Sequence, residues 1–122
     1  MVKLTFCLRR LPHLSRAEFQ RYWREEHAPL VARHAATLGI RRYVQCHTGD
    51  DAVNAALAAS RGGPEPYDGV AELWFDDLAA LAAAGATDAG RAAGRALLDD
   101  ERRFIDLARS PLFVGDEHPV LP

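Results

Sequence analysis

Tyr22-Trp23-Arg24-Glu25-Glu26-His27-Ala28-Pro29-Leu30-Val31 is an apolar helical stripe that runs into a helix breaker. Phe19, Trp23 and His27 recur at steps of four, and Leu30, Val31 and His34 continue the stripe, so one face of this helix is apolar. Arg16, Arg21, Arg24 and Glu25 fall mostly on the other side. Pro29 has no N–H for the carbonyl of Glu25, and its ring biases Ala28 away from the helical region. The helix is therefore expected to kink, or to stop near His27 and restart with Pro29 in its first turn. Upstream, Ser15-Arg16-Ala17-Glu18 reads as a capping box, and downstream Gly39 reads as a C-cap.

On either side of this helix the period changes to two. Val2, Leu4, Phe6 and Leu8 alternate with Lys3, Thr5, Cys7 and Arg9, which predicts a strand with one apolar face, ended by Pro12. Residues 40–48 predict a second strand, with Arg41, Tyr43, Gln45 and His47 on one face and Arg42, Val44, Cys46 and Thr48 on the other. Residues 50–60 read as a short alanine-rich helix or a mobile insertion, and the glycine- and proline-rich 61–66 as a loop. A third strand is expected over 68–75, with Val70, Glu72 and Trp74 on one side. Helix follows from Asp76-Asp77: a short piece at 77–84, then a longer one from about 88 to 110, in which residues 99–103 form a solvated charged run. Pro111 stops it, and 112–120 read as the last strand. The order β-α-β-(insert)-β-α-β predicts one α+β domain over 1–122, a ferredoxin-like βαββαβ unit with helices on one face of a four-stranded antiparallel sheet and a variable insert at about 49–67.

Composition removes several function classes. The chain has 122 residues, 48% of them hydrophobic, enough for a modest core without disulfide or metal support. Cys7 and Cys46 read as buried free thiols of a reducing compartment. No membrane span and no signal peptide are expected, and the cytoplasm is the expected location. Residues 1–48 carry nine Lys/Arg against three Glu, whereas 49–122 carry six Arg against fourteen Asp/Glu. The basic groups are spread over two strands and a helix, and the acidic half folds back on them, so nucleic acid is not an expected partner. Asp116-Glu117-His118 cannot converge on one metal ion from a regular strand, because consecutive residues point to opposite faces. No phosphate-binding or dinucleotide glycine pattern is present, so neither metal nor cofactor is expected.

His27 is the first candidate for chemistry: directly before the break, beneath the stripe and beside Trp23, an imidazole titrates near neutral pH. A histidine that merely caps the broken helix is the alternative. His47 is the second candidate, sharing a strand face with Tyr43 and Gln45 that forms a polar wall opposite His27 if it looks inward. Strand parity alone leaves that choice open. Trp74 and Glu72 offer an apolar wall and an acid, or, for Glu72, a salt bridge with Arg41 or Arg42.

Several blocks resemble the EthD family. They are residues 3–10, 15–19, Tyr22-Trp23, His27-Ala28-Pro29-Leu30-Val31, 42–45, 68–75, Asp100-Glu101 with Phe104-Ile105-Asp106, and 113–120. The resemblance spans about 2–120 and implies a dimeric α/β barrel, a homodimer of two such domains, each with a cleft between sheet and helices. It implies no single reaction: similar proteins are linked to ether degradation, dehydration, decarboxylation and lactone isomerisation. Relatives on the same fold include cofactor-free monooxygenases and haem degraders. The latter use an Asn, and the single one here, Asn54, lies in the insert. Three readings follow. The first is a cofactor-independent enzyme moving protons on an apolar, oxygenated small molecule. His27 would be its acid or base, His47 and Tyr43 its polar orienters, and Phe19, Trp23, Glu72, Trp74 and Phe113 would line the substrate site. The second is a non-catalytic ligand-binding or accessory protein, and the third an oxygenase on the same fold.

Overall fold

The computed structural model describes residues 1–122. Its sheet has the strand order β2-β3-β1-β4, formed by β1 (Val2–Leu8), β2 (Arg42–His47), β3 (Gly69–Phe75) and β4 (Leu112–Asp116), all neighbours antiparallel. This is the ferredoxin-like α+β fold. Register settles the parity that the sequence left open. Leu4 pairs with Leu73 and Val114, and Leu73 pairs with Tyr43, so Val2, Leu4, Phe6 and Leu8 share a face with Tyr43, Gln45 and His47. The helices cover that face.

Helix α1 (Arg16–Tyr22) starts at the expected capping box: the Glu18 N–H donates to Ser15 Oγ at 3.0 Å, and the Ser15 N–H donates to a Glu18 carboxylate oxygen at 2.9 Å. The α-helical bonding then stops at Tyr22. Residues Trp23–His27 form a π-helical turn, in which the Ala28 N–H reaches back five residues to the carbonyl of Trp23. Helix α2 (Ala28–Leu38) restarts with Pro29 in its first turn and closes at Gly39, whose φ of 74° lies in the left-handed region. A π turn widens the helix by one residue per turn, which accommodates the ring of Pro29 without breaking the rod.

The insert is ordered as helix α3 (Asp51–Arg61), with no buried residue. Helix α4 (Leu78–Ala84) is capped by Asp77 and α5 (Asp88–Glu101) by Thr87. Helix α5 ends at Glu101, short of the expected 110. Backbone pairing diverts the chain: the Leu11 N–H donates to Phe104 O, the Asp106 N–H donates to Arg9 O, and Arg10 bridges Ile105. A single 3-10 turn, Leu107–Arg109, precedes β4. The last strand stops at Asp116 rather than 120, where its pairing with β1 runs out at Val2. Leu8, Phe19, Trp23, Ala71, Phe104 and Ile105 form the core between sheet and helices. The two thiols are free but not buried, Cys7 being half-buried and Cys46 exposed, because both alternate onto the face without helices. No helix is long and apolar enough to cross a membrane.

Candidate functional site

A cavity of about 160 Å³ lies between the covered sheet face and the helices. That matches the volume of an engineered apolar cavity that takes up benzene, about 150 Å³. All but two of its lining residues are hydrophobic; the exceptions are His27 and Glu101. Tyr43 and Trp23 complete the wall on the β2 side.

His27 reaches the cavity from the end of the π turn and is buried, with 5% of its surface exposed. Its Nδ1 lies 2.7 Å from Asp100 Oδ2, and the other oxygen of Asp100 accepts from the Tyr22 hydroxyl at 2.5 Å. An acceptor-only carboxylate assigns the imidazole proton to Nδ1 and leaves Nε2 with its lone pair. Burial pushes the imidazole below its ordinary value and outweighs the opposing pull of Asp100, so the ring is neutral near pH 7 and is a base. Phe104 packs at 5.0 Å from the rings of both His27 and Tyr22 and holds the pair in place.

Glu101 ends α5 one residue after Asp100. Burial, reinforced by the neighbouring Asp100, pushes its carboxyl up from 4.5 to about 7. The adjacent arginines are committed elsewhere, Arg102 to Asp99 at 3.2 Å and Arg103 towards Asp100 at 3.8 Å. Residues 99–103 are therefore not a uniformly solvated run: Asp100 is 8% exposed. Helical spacing carries the signal that finds it. Ala93, Leu97, Asp100, Glu101 and Phe104 fall at steps of three and four and continue one stripe.

The polar residues of β2 form a chain of hydrogen bonds. The Gln45 amide donates to the Tyr43 hydroxyl at 2.7 Å and to the Trp23 carbonyl at 3.0 Å, and its oxygen lies 2.8 Å from His47 Nε2. The Trp23 carbonyl is also the acceptor of the π turn, so Gln45 pins that turn to the sheet. His47 does not stand opposite His27 in the cavity. The Trp23 indole stacks on its ring at 4.4 Å and separates it from the cavity. Phe19 is fully buried behind Trp23, in the core rather than in the cavity wall. Gly69 allows the stacking: a Cβ there would lie 2.7 Å from Trp23 Cη2 and 2.9 Å from the Cys46 carbonyl oxygen.

Glu72, Trp74 and Phe113 are on the opposite face of the sheet, because their neighbours Leu73, Leu112 and Val114 face the helices. None of the three touches the cavity. Trp74 is instead ringed by Lys3, Arg42 and Glu117, its indole N–H donating to Glu117, while Lys3 pairs with Glu72 at 2.7 Å. Phe113 is 54% exposed.

Comparison with known proteins adds the following. The EthD domain model matches residues 11–108. A crystal structure of an EthD family protein from Bacillus halodurans is 24% identical, with 97% of this chain and 99% of that one covered and a TM-score of 0.64. An EthD-like protein from Ralstonia eutropha is 16% identical, with 94% and 89% covered and a TM-score of 0.59. A dimeric protein of unknown function and ferredoxin-like fold from Bacteroides fragilis is 11% identical, with 95% of each chain covered and a TM-score of 0.59. No curated protein matches the sequence.

Proposed function

The chain belongs to the EthD family, and we propose that it is an enzyme of proton-transfer chemistry acting on a small, apolar, oxygenated molecule bound in the cavity beneath Trp23. The observation that carries this reading is His27: a buried imidazole, held at Nδ1 by Asp100, in the wall of an otherwise apolar cavity. A base in such surroundings is oriented before the substrate arrives. Nε2 accepts a proton from a carbon next to a carbonyl. Tyr43, whose oxygen already accepts from Gln45, donates its own O–H to the carbonyl oxygen, where negative charge develops. Dehydration, isomerisation and cyclisation begin with such a transfer, and decarboxylation ends with its reverse. Phe19 and His47 serve the site from behind, by fixing Trp23.

The protein acts as a homodimer joined through the open sheet face. That face has no helices over it, and it carries Val44, Val70 and Phe113 beside the charged ring around Trp74. Light scattering at micromolar protein should give twice the 13.4 kDa chain mass. A monomer alone would overturn the dimer and leave the chemistry standing.

The chemistry is tested by hydrogen–deuterium exchange into small cyclic ketones and lactones, followed by mass spectrometry. The wild type should accelerate exchange at the carbon beside the carbonyl, and His27→Gln should lose roughly 10²–10⁴ of that rate while remaining folded. A folded His27→Gln protein with wild-type exchange would refute the base. Binding of the ketones without any exchange would favour a ligand-binding role.

A further inference from the structure

We propose that Glu101 is the second catalytic group of this cavity, a carboxylic acid that donates its proton to the oxygen of a neutral ligand while His27 acts on the neighbouring carbon. The inference rests on the reading of His27 as the base and adds a group that transfers a proton to the same oxygen that Tyr43 hydrogen-bonds.

Three observations support it. Glu101 and His27 are the two ionisable carboxyl and imidazole groups in the wall of one small apolar cavity. Glu101 has no side-chain partner of its own, since Arg102 turns to Asp99, and Arg103 to Asp100. Its chain neighbour Asp100 is the carboxylate that accepts from His27 and Tyr22. Two successive acidic residues therefore part company at the end of α5. One accepts hydrogen bonds behind the imidazole, and the other stands in the cavity wall. The charged and titratable groups around Glu101 are Asp100 and Arg102 on its own stretch, with His27 from the π turn and Tyr43 from β2 across the cavity. The cavity-facing residues of β1, β3, β4, α2 and α4 are apolar. Burial and the Asp100 charge both oppose ionisation and place the Glu101 carboxyl at about 7.

The step balances. Nε2 of His27 takes the proton from the carbon beside a ligand carbonyl. The C–H electron pair becomes a C=C bond, the carbonyl π pair moves to oxygen, and that oxygen takes the Glu101 proton. An enol results, with His27 cationic and Glu101 anionic, so the net charge of the site does not change. The two charges arise within one low-dielectric space and attract each other. In a ligand with a second C=C next to that carbon the enol is a dienol; His27 then returns the proton to its far carbon, the enol O–H proton goes back to Glu101, and the ligand is isomerised with both groups restored. Before reaction both groups are uncharged, so the cavity suits a neutral carbonyl compound; a carboxylate of the same size would lose its hydration with no cation to replace it.

Infrared spectroscopy of the protein across a pH series tests this without a substrate. The wild type, labelled with ¹³C at the Glu carboxyl carbon, should show an isotope-shifted carboxylic-acid C=O band that disappears as pH rises through about 7. Glu101→Gln should lack that band, and Asp100→Asn should shift its midpoint downward. A wild type with no protonated Glu band at pH 6, or a band that survives in Glu101→Gln, would overturn the assignment; the wild-type measurement decides even if a variant fails to fold. In the exchange assay, wild-type rate should fall on the basic side of about pH 7. Glu101→Gln should lose this basic limb and roughly 10²-fold in rate. Loss of exchange in His27→Gln beside an unchanged rate and profile in Glu101→Gln would overturn Glu101 alone. An active His27→Gln would overturn the base and the pairing together.

Discussion

The two faces of one four-stranded sheet treat ionisable groups in opposite ways. On the covered face, His27 and Glu101 meet apolar side chains, and burial moves both towards their uncharged forms. On the open face, Lys3, Glu72, Glu117 and Arg42 surround Trp74 and neutralise one another: Glu72 raises the Lys3 ammonium, and the Trp74 indole N–H holds Glu117 below its usual range. The strands are the same and the residues only one step apart. The deciding factor is solvent, because a charge near water is cheap to keep and a charge under helices is not. Groups on the covered face are therefore suited to give and take protons, whereas Lys3 and Glu117 on the open face are held as ions by their partners.

The largest structural effect should come from breaking the covered face at Trp23. Trp23→Ala should cost roughly 3–5 kcal/mol in chemical denaturation, as it empties the space between Phe19 and His47. A smaller loss would show that His47 and Gln45 hold the π turn without the indole. Gly69→Ala attacks the same contact from the sheet and should cost roughly 1–3 kcal/mol by overpacking. Trp23→Phe in that background should recover part of the loss, and a failure to do so would place the strain at the Cys46 carbonyl instead.

The pH dependence of stability sharpens the comparison, and its sign differs for the two cavity groups. Glu101 has a raised folded value, so its contribution is full below about 4.5 and lost as pH rises through about 7. His27 has a lowered one, so its contribution is full above the ordinary 6.5 and lost as pH falls through its folded value. Glu101→Gln should thus gain stability over wild type at pH 8, by ~3 kcal/mol at most, and gain nothing at pH 4. His27→Gln should compare better with wild type at pH 5 than at pH 8. Melting curves at these pH values check both, and identical pH profiles in wild type and Glu101→Gln would remove the distinction between the faces.

The smallest effect belongs to the open face. Glu72→Gln breaks an ion pair whose members keep about a quarter of their side-chain surface exposed, 24% and 27%. It should cost about 0–1 kcal/mol, less again in high salt. That small cost places the pair at the wet rim of the proposed dimer contact; a loss of several kcal/mol would place it inside that contact instead.

Much of this architecture was legible in the sequence, for a physical reason. The period-two run Val2-Leu4-Phe6-Leu8 and the Ser15–Glu18 capping box are local signals and formed as read, while Trp23 and His27 share the buried side although a π turn, not an α turn, joins them. Those that misled depend on long-range pairing. The helix expected to 110 was cut short by backbone bonds to Arg9 and Leu11, some hundred residues earlier in the chain. The strand-face assignment of Glu72, Trp74 and Phe113 needed register, which no single strand contains. His47 lay on the covered face as one of the two parities allowed, but a stacked indole, invisible to spacing, shields it from the cavity. Asp100 and Glu101 were hidden because a charged run resembles a solvated face until its helical phase is counted.

The π turn before Pro29 is also a matter of phase. It holds one residue more than an α-helical turn, and each residue advances the helix by about 100°. Deleting one residue among Arg24, Glu25 and Glu26 would leave a continuous α-helix in place of the bulge, with the carbonyl of Trp23 served by an ordinary bond. The same N–H of Ala28 would still reach the carbonyl of Trp23, so the wide turn takes up the extra residue and α2 keeps its phase relative to Trp23. Chain length is thus tolerant at this one turn and strict elsewhere: a one-residue deletion inside Arg24–Glu26 would leave α2 in register, whereas the same deletion within α2 would turn all that follows it by about 100°.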